Sequence, residues 1–243
     1  MEDNSIRLNK YIAMCGVYSR READKLIESG HVKINDKRAV SGMKVGPKDK
    51  VLIDMNVVKP VKNKVVLAFY KPTGVVCTKK DEHAETTIYD VIDYPKRLQY
   101  AGRLDADSEG LLILTNDGDL INGMMRGSHK HEKEYIVRID QKVTSEFLHK
   151  MEKGIWIDEL KTKTRDCVCV TVKNDSNGFR IILTQGLNRQ IRRMCNSFNY
   201  KVKELKRIRV MNIHLDNLKP GEYREIYGEE LDKLYSMCGM KNN

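Results

Sequence analysis

Residues 102–110 read Gly-Arg-Leu-Asp-Ala-Asp-Ser-Glu-Gly, which places Arg103, Asp105 and Asp107 in one short polar loop. The apolar run at 111–114 follows at once, bounded by Gly110 and by Thr-Asn-Asp-Gly. Four apolar residues between such breakers predict a buried strand. The loop is therefore mounted at the edge of a rigid core, where reactive side chains are commonly carried. A carboxylate held there can act as a nucleophile or a proton acceptor. Taken alone, an arginine and two aspartates on a loop are more often a surface ion pair.

Other residue types offer less. The six cysteines, Cys15, Cys77, Cys167, Cys169, Cys195 and Cys238, are scattered with no C-x-x-C pair, so reduced thiols are expected. Cys167 and Cys169 share one face of a strand-like run, but no second ligand pair stands near them in the sequence. His129 and His131 are read in the same way, and no metal is expected. Neither a Walker loop nor a G-x-G-x-x-G fingerprint is present.

The elements that must position the loop follow from periodicity. Ile6, Leu8, Tyr11 and Ile12 recur at helical spacing, and a second helix starts at Ser19 with Glu22 completing a capping box. Ala23, Leu26 and Ile27 form its inward face, and Gly30 ends it. Two strand-like pieces flank an Asn35-Asp36 turn, and residues 51–54 close the unit. Residues 54–64 are rich in lysine and read as a linker.

A second unit opens with a strand at 65–70 and a turn at Lys71-Pro72-Thr73-Gly74, with a further strand at 75–78. A short helix is predicted over 87–92, strands over 134–140, 168–172 and 179–184, and a helix over 144–154. The Asn-Asp-Ser-Asn-Gly run at 174–178 reads as the connection between two of those strands. Residues 188–198 form a basic amphipathic helix with Ile191, Met194, Cys195 and Phe198 on one face. A strand over 202–213 and a last helix over 229–237 complete an α+β domain, with a mixed, mostly antiparallel sheet and flanking helices. The expected boundaries are 1–62 for the first domain with its linker and 63–243 for the second.

Composition narrows the class of partner. The chain has 243 residues, a net charge of +10 and a pI near 9.2, which favours a polyanionic partner. No apolar run approaches a membrane span, and the acidic start, Met1-Glu-Asp-Asn-Ser, is unlike a signal peptide, so a cytoplasmic protein is expected. The charge would also suit an anionic membrane surface, but the basic helix at 188–198 lacks the exposed aromatic and leucine face of such an anchor, so no membrane contact is expected. Residues 1–62 hold 13 Lys/Arg against 8 Asp/Glu, with Arg7, Lys10, Arg20, Arg21 and Lys25 on the two helices. Residues 186–209 hold eight Lys/Arg and one Glu. That local excess predicts a continuous face that tracks phosphates.

Two sets of motifs carry a resemblance. Arg-Leu-Asn-Lys-Tyr-Ile, Ser-Arg-Arg-Glu-Ala-Asp and Gly-x-Val-x-Ile-Asn, across residues 6–53, resemble the small S-four RNA-binding domain. Asp36 stands where a glycine commonly follows the asparagine, and aspartate tolerates the left-handed turn. Gly102-Arg103-Leu104-Asp105, then Gly110-Leu-Leu, then Lys133-Glu-Tyr135, then the run at 185–194, Gln-Gly-Leu-Asn-Arg-Gln-Ile-Arg-Arg-Met, resemble the motifs of pseudouridine synthases. The nearest likeness is to the RsuA-type branch acting on ribosomal RNA, and within it to the F-type synthases of 23S ribosomal RNA.

The resemblance implies conversion of uridine to pseudouridine in ribosomal RNA, of the 23S class by the F-type wording, with no cofactor. A monomer is expected, although the sequence does not fix the oligomeric state. Asp105 would be the essential carboxylate, with Asp107 outside the motif. Arg192 would face Asp105 as its ion partner, because burial alone disfavours a carboxylate's charge. Tyr135 would stack on the base. Arg103 would contact the RNA as the target base leaves its stack, and Arg189, Arg193, Arg207 and Arg209 would add contacts to those of Arg7, Lys10, Arg20 and Arg21. A non-catalytic RNA-binding or ribosome-assembly protein on the same fold, or a synthase for small-subunit or transfer RNA, remains the alternative at this level.

Overall fold

The computed structural model describes residues 5–78, 86–126 and 130–242. The acidic N-terminal residues 1–4 and His129 lie outside the described residues. The chain divides into two compact units, one of residues 1–65 with 94–99 and 116–118, the other holding the rest.

In the first unit, β1 (Ile6–Arg7) leads into α1 (Leu8–Met14), and α2 (Arg20–Glu28) follows. The capping box forms: the Glu22 N–H donates to Ser19 Oγ at 3.2 Å, and the Ser19 N–H donates to the Glu22 carboxylate at 2.5 Å. The guanidinium of Arg97 adds a 2.9 Å bond to the same carboxylate. Four more strands precede the last one, β2 (Val32–Ile34), β3 (Lys37–Arg38), β4 (Lys44–Val45) and β5 (Val51–Ile53), with β4 pairing to β1. Asn35 and Asp36 both take positive φ, 50° and 68°, as a two-residue hairpin requires. The predicted linker is partly structured. Asp54 and Met55 make a second such turn, and β6 (Asn56–Val58) returns along β5. Backbone pairing, invisible in a lysine-rich polar stretch, decides this. Leu8, Ile12, Ala23, Ile27, Val32 and Val51 are the buried core.

The second unit is built on one sheet. Its first elements are β7 (Val66–Lys71), α3 (Ile88–Val91), β8 (Gln99–Ala101), β9 (Glu109–Thr115) and α4 (Gly118–Met125). Then come β10 (Lys133–Ile139), α5 (Ser145–Glu152), β11 (Trp156–Ile157), a 3-10 turn at Asp158–Leu160, β12 (Thr162–Lys163), β13 (Val168–Val172) and β14 (Asp175–Leu183). Last are α6 (Gln190–Asn196), β15 (Val202–Val210), β16 (Ile213–His214), β17 (Tyr223–Glu225) and α7 (Gly228–Met237). The strand order is β13-β14-β10-β15-β9-β7-β17. β15 and β9 run parallel, and the other pairings along this path are antiparallel.

Three predicted elements differ. Residues 75–78 are not a strand, since Val76 makes a single bridge to Thr87. The turn before β14 lies at Asn174, with φ 62°, so most of the predicted connection is strand. The strand predicted over 202–213 breaks at Met211, with φ 55°, before β16. At 75–78 and at Met211 the apolar pattern runs on while the backbone turns, whereas at 175–178 backbone pairing carries polar residues into the strand. Helix α4 and the β11–β12 hairpin are additions to the elements that periodicity predicts.

Two apolar clusters cover the sheet. Leu111 and Ile113 pack with Leu120 and Met124 of α4 and Leu234 of α7. Tyr135, Val137, Phe179 and Leu205 pack with Phe147 of α5 and Met194 of α6. Ala101 belongs to the first cluster and Leu104 to the second. The start of the polar loop is thus anchored in both clusters.

Candidate active site

The loop before β9 is fixed by three local devices. Gly110 has φ 105°, and a Cβ there would collide with the carbonyl oxygen of Arg207 across the parallel pairing. Only glycine allows that approach. The Lys71 ammonium is fully buried and donates to the carbonyls of Pro72, at 2.7 Å, and Ser108, at 2.8 Å. Burial pushes its pKa down, partly countered by Cys77, Asp107, Asp105 and Glu109. The Gly74 N–H donates to the carbonyl of Ala106 at 2.8 Å. The turn at 71–74 thereby clamps the loop.

The loop borders a cleft of about 500 Å³ whose lining includes Arg103, Asp105, Lys133, Tyr135, Arg189 and Arg207. This is the size of a small-ligand site. Asp105 is half-buried, Arg103 is exposed, and Tyr135 is 9% exposed on β10. The arginine expected to face Asp105 does not. Arg189 Nη1 lies 3.4 Å from Asp105 Oδ2, and Arg189 Nη2 lies 2.9 Å from Asp107 Oδ2. Arg192 turns instead to Asp107, 3.2 Å from its carboxylate, and donates to the carbonyls of Asp107 at 2.8 Å and Val202 at 3.2 Å.

The physical reason is the start of α6. Arg189 sits at the helix N-cap in the left-handed region, φ 48°, which swings its side chain to the loop. Burial raises the Asp107 carboxyl, but the Arg189 hydrogen bond and the charges of Arg192 and Arg189 outweigh it and hold its pKa below the ordinary value. The Asp107 hydrogen bond raises that of Arg189 in turn.

The expected basic face over 186–209 is mostly spent inside the unit. Arg193 hydrogen-bonds Asn188 at 3.2 Å and pairs with Glu159 at 3.4 Å. Arg207 is 2% exposed and donates to the carbonyls of Leu111, at 2.7 Å, and Arg103, at 3.4 Å. Arg209 bridges Glu134 at 2.7 Å and Glu132 at 2.9 Å and donates to the Met211 carbonyl. These arginines therefore do not form a continuous phosphate-tracking surface. Strand carboxylates and exposed carbonyls on neighbouring elements capture them, which a charge count cannot foresee. In the first unit Arg7, Arg20 and Arg21 are exposed and Lys10 is half-buried.

Sequence reasoning missed Lys71, whose lysine-proline turn was visible but whose burial was not. It also missed Lys133, which lines the cleft and whose pKa burial, helped by the charge of Arg207, pushes down. The Cys167 and Cys169 sulfurs stand 3.7 Å apart, and the bond from Cys167, with burial, pushes the Cys169 thiol up. Among the described residues no helix is long and apolar enough to cross a membrane.

Known proteins resemble both units. A family profile described as RNA pseudouridylate synthase matches residues 65–197, and an S4 domain profile matches residues 6–51. The dual-specificity RNA pseudouridine synthase RluF of Escherichia coli (strain K12) is 45% identical over 240 residues, 98% of this chain and 81% of the relative. Ribosomal large subunit pseudouridine synthase B of Bacillus subtilis (strain 168) is 34% identical, covering 98% of each. A crystal structure of a pseudouridylate synthase superposes with a TM-score of 0.69 at 30% identity, covering 95% of this chain and 100% of that one.

Proposed function

The chain belongs to the RNA pseudouridylate synthase family and carries an S4 domain, and from that premise we propose that it isomerises a specific uridine of large-subunit ribosomal RNA through Asp105. The observation that carries the reading is the half-buried Asp105 carboxylate in a cleft with Tyr135, faced by Arg189 at 3.4 Å. The E. coli and B. subtilis relatives are both named for pseudouridine synthesis, and the second also for the large ribosomal subunit.

The chemistry asks little beyond this. The bond from uracil N1 to ribose C1′ breaks, the base turns, and C5 bonds to C1′. A single carboxylate beside the sugar suffices, either by attacking C1′ or by taking a sugar proton. The target base must leave its stack, which costs a few kcal/mol. Arg103, exposed at the cleft, fills the vacated place or pairs with a phosphate. Arg7, Arg20 and Arg21 of the S4 domain contact the RNA backbone, an attraction that salt weakens.

The test is pseudouridine mapping. Ribosomal and transfer RNA from a deletion strain should lack a modification that the parent carries. The wild-type gene should restore it and Asp105→Asn should not. The transfer RNA fraction is included because the E. coli relative is named dual-specificity. Restoration by Asp105→Asn would overturn the catalytic assignment.

A further inference from the structure

Lys133 and Arg207 are among the cations that line the cleft, and neither has an assigned task in the reaction. Lys133 and Tyr135 lie two residues apart on β10, and Tyr135 pairs across the sheet with Arg207 of β15. Both Lys133 and Arg207 line the cleft that holds Asp105. Arg207 is 2% exposed. Its Nε and Nη1 are used by the carbonyls of Leu111 and Arg103, while Nη2 is buried with no hydrogen-bond partner among the described residues. Lys133 donates at 3.4 Å to the carbonyl of His131.

The charge that acts on Lys133 is that of Arg207, another cation, and both its burial and that neighbour disfavour its charged form. A buried guanidinium with one donor unsatisfied, acting on a half-buried ammonium of the same sign, is costly unless a negative group or strong acceptor arrives. Strand carboxylates do not supply it, since Glu134 is taken by Arg209 at 2.7 Å and Arg180 at 3.3 Å.

We propose that Lys133 and Arg207 form a cationic floor that holds the uracil anion while it is detached from the sugar. The inference rests on the pseudouridine synthase reading. When the N1–C1′ bond breaks, its electron pair leaves on N1, and the freed uracil carries one negative charge spread over N1, O2 and O4. The charge exists only between cleavage and rejoining. C5 then bonds C1′, the C5 proton is lost and N1 gains a proton, so the atoms balance with no other reactant. Donors aimed at charge that develops during reaction lower its barrier more than they tighten binding. Arg207 is held rigidly by two carbonyls, so Lys133 is the adaptable partner. The same pair keeps the anion from drifting out as it turns.

The experiment uses the full chain, wild type, Lys133→Gln and Lys133→Arg, under single turnover with 23S ribosomal RNA transcripts. One transcript carries uridine and one 5-fluorouridine, whose base is a more stable anion. Its C5 carries fluorine and has no proton to lose, so the rate read on both is cleavage of the N1–C1′ bond at the target nucleotide rather than pseudouridine formation. Removing one such donor is expected to cost about 10²-fold in rate, with the RNA concentration for half-maximal rate unchanged. Lys133→Arg should recover part of the loss, and the loss should be smaller with the fluorinated RNA.

A fully active Lys133→Gln overturns the proposal. So does a variant with unchanged saturating rate and weaker RNA binding, which would make Lys133 a phosphate contact. An equal loss on both transcripts overturns the anion role in favour of a structural one, which thermal melting of the variant checks. A wild type that forms no pseudouridine overturns the functional reading as well, whereas an active wild type beside an active Lys133→Gln overturns this inference alone.

Discussion

Arg189 Nη1 stands 3.4 Å from Oδ2 of Asp105, and this pairing is made by the residue that precedes α6 rather than by one inside it. Residue 192, one turn further on, is drawn to Asp107 and to backbone carbonyls. Asp107 is therefore the hub of the ion cluster, in contact with both arginines, while Asp105 is touched by one and remains open to the cleft. A carboxylate with one long ion contact is freer to react than one held by two. Asp107 places the guanidinium that Asp105 meets.

The two aspartates should separate kinetically. Asp105→Asn should abolish pseudouridine formation while leaving RNA affinity intact. Asp107→Asn should slow single turnover by about 10²-fold, the scale of an ångström-level misplacement. Because Asp107 and Arg189 act together, combining Asp107→Asn with Arg189→Gln should add little to the worse single variant. Fully additive losses would count against the hub.

Gly110→Ala should destabilise the second unit by about 3 kcal/mol or more, since the new methyl meets the Arg207 backbone and φ is unfavourable for an L side chain. Urea denaturation measures this. Gly74→Ala also sits at positive φ, 84°, but no atom lies within 4 Å of its Cβ, so it carries the backbone strain without the collision and should cost less.

Lys71→Met should leave the carbonyls of Pro72 and Ser108 without their charged donor. The loop carrying Asp105 then loses one of its clamps. The expected result is a loss of about 1–3 kcal/mol in stability together with slower turnover at unchanged RNA affinity. A variant with normal turnover would show that the loop is positioned without this lysine.

In the S4 domain, hydrogen bonds from the Ser19 backbone and side chain, aided by Arg97 against a small burial penalty, hold the Glu22 carboxyl at about 2 rather than 4.5. The folded value is the lower one. Its contribution is therefore present above pH 4.5 and is lost as pH falls towards 2. Glu22→Gln should cost about 1 kcal/mol at neutral pH, little of it from the exposed ion pair with Arg97. Amide exchange in α2 at pH 7 and near pH 3 should show the gap between variant and wild type closing on acidification. A constant gap would mean that shape, not charge, makes the cap.

The local features were legible in the chain itself. The Ser19–Glu22 capping box, the Asn35-Asp36 turn, the buried strand behind the loop and the amphipathic α6 each depend on neighbours within a few residues, and periodicity and turn chemistry report those directly. The family resemblance that the motifs carry likewise implied that Asp105 and Tyr135 share one cleft, which both line. What only the tertiary structure decided was partnership at long range: Arg189 rather than Arg192 beside Asp105, Arg207 and Arg209 turned inward, and Lys71 buried under the loop. A guanidinium or ammonium reaches any acceptor within a side-chain length. Which acceptor that is depends on strand register and on one left-handed residue before a helix. The linear sequence records the charges but not those distances.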